Sequence, residues 1–105
     1  VVAFAVVVRG AAVLARHRAE SAADLAALAA AGRIGVGGDE CAAAARTAAA
    51  NGATISSCRP AAAADGRSGT VAVQVALRVY LPVVGARQVV ASARAGRDPP
   101  APEPR

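Results

Sequence analysis

Methionine, tryptophan and lysine are absent from these 105 residues, and phenylalanine, tyrosine and histidine occur once each. Without large aromatic anchors, the 55% apolar fraction, much of it alanine, overstates the core the chain can build. A chain of this size with so thin a core needs a staple, a partner or a membrane. The shortage of aromatics also leaves almost nothing on which a base could stack. All twelve basic residues are arginines, and they are scattered from Arg9 to Arg105 with no dense run, so the net charge of +5 does not point to nucleic acid. The lack of lysine beside so much alanine is the signature of a GC-rich coding sequence. The missing methionine extends to position 1, and we expect a further piece upstream of Val1.

Catalytic chemistry finds little to work with. His17 is the only histidine, and it lies between Arg16 and Arg18 in a helical stretch with no third residue to orient a Cys–His pair. Ser56 and Ser57 have no evident base. Glu20 and Asp24 fall one turn apart on a helix surface, the usual place for a solvated pair. Two cysteines and one histidine match no metal-ligand spacing, so neither metal nor other cofactor is expected. Glycines 35, 37 and 38 form a loop, but no strand precedes it, no lysine follows it, and Asp39 and Glu40 would repel a phosphate.

What the chain does have begins at its first residue. Residues 1–15 are apolar except for Arg9. A spanning helix needs about 20 apolar residues, and an arginine at the bilayer centre costs about 2.5–3.5 kcal/mol. The segment therefore reads as the second half of a span begun upstream, with a buried amphipathic helix or a removed signal segment as the alternatives. Arg16, His17 and Arg18 follow it directly, suited to anionic headgroups. The helix is expected to run on to Gly32, because alanine and leucine favour it and no proline or glycine interrupts residues 11–31. Leu14, Ser21, Leu25 and Leu28 share a stripe with small alanines beside them. Ser21, Ala22, Ala26 and Ala29 are the expected helix-packing residues, since small side chains let another helix approach closely. Bulky residues at Ala26 and Ala29 should then block assembly and spare folding.

Asp39 reads as the N-cap of a second helix ending at Asn51-Gly52. The period then changes. Residues 53–58 read as a short strand, and RPAAAADGRSG as a flexible link. TVAVQVALRVY alternates, with Val71, Val73, Val75, Leu77 and Val79 on one face. After a turn around Pro82, ARQVVASARA supplies a third strand with Val89, Ala91 and Ala93 inward. The expected fold is α+β: a long N-terminal membrane helix, a second short helix and a three-stranded antiparallel sheet resting on them. Residues 1–32 form the membrane-associated helix, 33–96 a small extracytoplasmic domain and 97–105 a proline-rich disordered tail. Cys41, early in the second helix, and Cys58, ending the first strand, are placed to meet. A disulfide there would add about 3 kcal/mol and imply an oxidising compartment, whereas two free buried thiols would fit a cytosolic protein.

The segment ARHRAESAADLAALAAA, residues 15–31, resembles actinobacterial TadE/TadG-like proteins of Flp-type pilus and secretion loci, and SAADLAALAAA is similar to their AAD-x-AALA pattern. The likeness runs on in order through a cysteine in an alanine-rich helix (Cys41), a cysteine ending a strand (Cys58), a valine-alternating strand and ASARAG, covering residues 10–96. It implies a pilin-like, non-enzymatic protein, single-pass in the cell membrane with its C-terminal part outside, and partnered through the N-terminal helix with other pilin-like or secretion-apparatus proteins. Cys41 and Cys58 match the family's cysteine pair. The apolar run is shorter than the family's and carries Arg9, the RPAAAADGRSG link is longer, and Arg16 and Arg18 on the outer flank run against the positive-inside rule. The alternative is a secreted soluble binding module released from its N-terminal segment.

Overall fold

The computed structural model describes residues 1–99. It contains α1 (Val2–Ala31), α2 (Glu40–Ala50), β1 (Thr54–Ala62), β2 (Gly69–Leu81) and β3 (Gly85–Arg97). The strands form one antiparallel sheet in the order β1-β2-β3, so the valine-rich strand is central. This is the expected α+β arrangement of one long helix, one short helix and a three-stranded sheet.

Both helices cover the same face of the sheet: α1 lies across β2 and β3, and α2 packs on α1 and β1. Alternation sends Val71, Val73, Val75 and Leu77 of β2 under the helices, where all four are buried. Opposite them are Ala19, Ala22, Ala23, Ala26, Ala27 and Ala30 of α1, and Ala44 and Ala48 of α2. Two helices and a sheet can meet this closely only because the helical side of the contact is alanine. The small side chains trade buried area per residue for close backbone approach.

That packing sets which helix faces the chain itself covers. Ala22 and Ala26 are covered by the chain's own sheet and second helix, whereas Leu14, Leu25 and Leu28 are exposed. Bulk at Ala26 would therefore collide inside the fold, not at an interface with a neighbour. Ala29 is half-buried and Ser21 exposed. Along α1 full burial starts at Ala15, and the helix ahead of it is largely exposed. At 1.5 Å per residue the 30-residue helix is about 45 Å long. It sets the long dimension of a 67 × 27 × 18 Å molecule.

The strands extend further than alternation alone indicated. β1 continues four residues beyond Cys58, through Pro60, to Ala62. A proline is tolerated there because β1 is an edge strand and needs no donor on its free side. Half of the link expected to be flexible is thus paired with β2. The register shifts between Ile55 and Ser57, and the extra residue, Ser56, donates its hydroxyl to the Gln74 carbonyl at 3.1 Å. Gly69, where β2 begins, has φ 147°, and a Cβ there would run into the Ala61 carbonyl and Ala62 Cα. Only glycine lets the two strands close at that point. Arg97, assigned from sequence to the tail, ends β3 and donates from Nη1 to the Ile34 carbonyl at 2.9 Å. The proline-rich stretch beyond Pro99 lies outside the described residues.

Candidate functional site

Two devices brace the short helix: one ties α2 to the sheet, the other ties α2 to the loop that precedes it. Cys41 in the first turn of α2 and Cys58 in β1 are joined as a disulfide, with Cα atoms 5.8 Å apart. The bond links the short helix to the edge strand, the element with least sheet to hold it. Paired in this way, neither sulfur is a nucleophile or a metal ligand.

The second device is electrostatic. Asp39 occupies the N-cap position of α2, but its side chain caps nothing. Its carboxylate instead accepts a 2.6 Å hydrogen bond from Arg33 Nε, with the Arg46 guanidinium 3.9 Å away. Arg33 thereby holds the carboxyl below the ordinary aspartate range, and Arg46 adds to the effect. Asp65 is lowered as well, by the backbone N–H groups of Arg67 and Ser68 and then by the Ser68 hydroxyl. These contacts close the β1–β2 turn around a buried Ser68.

Among the described residues, those with catalytic potential are not assembled into a centre. Glu20 and Asp24 are exposed on α1, and Glu20 pairs with Arg16 at 3.4 Å. His17 is exposed, in a surface groove it shares with Leu14, Ser21 and the end of α2. Among the described residues there is no group of three or more His, Cys, Asp or Glu that could hold a metal ion.

On the first half of α1, Phe4, Val6, Val7, Val13 and Leu14 are exposed, Leu14 at 66%. Leu25 and Leu28 extend an apolar stripe along the outer side of the same helix. None of the described helices is long and apolar enough to cross a membrane. Residues 1–14 would reach about 21 Å, against a hydrocarbon core of about 30 Å.

The sheet has a second face, turned away from the helices. It carries a shallow depression of about 460 Å³. Arg59, Ala72 and Arg94 sit side by side on the three strands, and Ser57, Gln74 and Ser92 form the next row. Two guanidiniums flanking an alanine suit a carboxylate or phosphate group. Strand alternation places Arg94 outward with Ser92, but only the register shows that Arg59 lies across from it.

A protein-family model described as putative Flp pilus-assembly TadE/G-like matches residues 1–33, a span that ends just past α1. No curated protein and no solved structure matches the chain.

Proposed function

We propose that this chain is a non-enzymatic, pilus-associated component, held at a membrane by the leading half of α1 with its disulfide-stapled α+β unit outside the cytoplasm. One coincidence carries the reading. The stretch similar to pilus-assembly proteins is the helix whose first half is apolar and left uncovered by the rest of the fold. An uncovered run of valine and phenylalanine is costly in water, at about 25 cal/mol per Å² of apolar surface. Lipid, or the helices of neighbouring subunits, removes that cost.

The remaining features agree with the reading. A disulfide fits an oxidising compartment. Arg16 and Arg18 stand where the exposed apolar half meets the packed half, within reach of headgroups. With Ala22 and Ala26 occupied internally, Ser21, Leu25, Leu28 and Ala29 are the positions left for lateral contact with other pilin-like subunits.

Membrane fractionation tests the assignment. The chain should stay with membranes through a carbonate wash and be reached by protease only from the outer side. Recovery free in the medium would replace it with a released binding module, and recovery in the cytosol with titratable thiols would refute both.

A further inference from the structure

We infer that the β2–β3 hairpin tip, Tyr80 to Val84, is a second membrane contact, seated at an anionic lipid surface beside the leading helix. The inference rests on the anchoring reading above and adds a site to it.

At one end of the molecule Arg97, paired with Gly69 at the start of β2, bonds to Ile34 just past the end of α1. At the other, Tyr80 and Leu81 line a groove with Ala11, Leu14, Ala15 and Arg18. β2 therefore runs antiparallel to α1, and its turn points toward the protruding apolar half of the helix. The α2–β1 turn also lies on this side, in a groove with Leu14 and Ser21, but Asn51-Gly52 offers no apolar side chain there, and the 32–39 loop packs instead against the β1–β2 turn.

The tip has the composition of an interfacial segment. Tyr80 is 78% exposed and Val83 89% exposed, with Val84 beside them. A soluble turn favours Gly, Asn or Asp at such positions. Here the sequence is Leu81-Pro82-Val83-Val84, and Val83 takes φ 67°, a conformation a β-branched residue rarely adopts. Backbone strain spent on displaying an apolar side chain to solvent has no folding purpose and suits a site that is covered in use. Tyrosine is the residue expected at the headgroup level, with its ring toward the acyl boundary and its hydroxyl in water.

The charge around the tip selects the lipid. Arg18, Arg78 and Arg87 are exposed around its base. Residues 1–19 and 66–97 contain no acidic side chain, and the first carboxylate along α1, Glu20, is paired with Arg16. An apolar tip ringed by guanidiniums matches anionic headgroups and is ill-matched to an acid-free apolar protein groove.

The chain supplies its own probe. Tyr80 is the only tyrosine and there is no tryptophan, so tyrosine emission reports on the tip alone. The full chain is mixed with phosphatidylcholine–phosphatidylglycerol vesicles, and co-sedimentation is measured alongside quenching by acrylamide and by brominated lipid. Co-sedimentation with Tyr80 shielded from acrylamide and quenched by brominated lipid is the expected result. Co-sedimentation with Tyr80 as open to acrylamide as in the free chain overturns the hairpin contact and leaves the anchor standing. Failure to co-sediment removes both. Val83→Gly relieves the backbone strain, and so preserves folding by circular dichroism, yet should weaken vesicle partition about tenfold. An unchanged partition coefficient would also overturn the inference.

Discussion

Replacing Cys41 and Cys58 together by alanine tests how much of this fold depends on its cross-link. The two residues are 17 apart in sequence. In the chain-entropy description, freeing a loop of that length raises the entropy of the unfolded chain enough to cost about 3 kcal/mol at 25 °C. Total stability for a domain of this size is about 5–15 kcal/mol, and an alanine-built core belongs toward the lower end. For a chain of this length the melting midpoint should fall by about 12–24 °C. The dependence on denaturant should steepen, because an uncrosslinked unfolded chain exposes more surface. Thermal and guanidinium unfolding followed by circular dichroism measure both. Reduction of the parent protein with dithiothreitol should reproduce the shift with the cysteine side chains still in place, which separates the cross-link from packing. A double variant that melts with the parent, or native protein whose thiols react without reduction, would refute the reasoning.

Four further outcomes follow from the packing and the charges. Ala26→Leu forces three extra carbon atoms into a site with no free surface, and should destabilise by about 1–3 kcal/mol or prevent folding. Leu28→Ala on the exposed side should change stability by no more than about 0.5 kcal/mol, so equal effects in denaturant titrations would contradict the assigned helix faces. Gly69→Ala meets both an unfavourable φ and the β1 backbone, and should cost more than about 1 kcal/mol, with loss of amide-exchange protection concentrated in β1. Asp39 and Asp65 both titrate below the ordinary aspartate value of about 3.9. Each contributes stability that is present above that value and lost as pH falls through its lowered folded value. Acid unfolding should therefore steepen below about pH 4, and Asp39→Asn together with Asp65→Asn should flatten it; an unchanged acid limb would show that neither carboxylate matters.

Local chemistry was enough to write down the elements of this protein. Uninterrupted alanine and leucine over residues 11–31 made one long helix, and Asn51-Gly52 stopped the second, with Gly52 at φ 75° as such a stop requires. The strict alternation of valine in β2 fixed which of its faces is buried, because the side-chain period of a strand is two and leaves no other choice. A cysteine in a helix and another in the strand just after it were near enough in sequence for their meeting to be anticipated.

Tertiary structure decided what an almost uniform helix could not. Alanine surrounds α1 on all sides, so its pattern carries little phase, and only the packed structure shows that the chain's own sheet and second helix take up the alanine face while the leucine stripe stays exposed. Large apolar residues usually mark a buried stripe, but here a second helix and a sheet must approach closely, and only the alanine face permits it. The extension of β1 through Pro60 depended on that strand lying at an edge, which its own residues do not reveal. The meeting of Arg59 with Arg94 across Ala72, and of Tyr80 with Ala11 and Leu14, depended on register and on the direction in which β2 crosses α1. Those are long-range relations, set by how the layers fit together and not by any spacing along the chain.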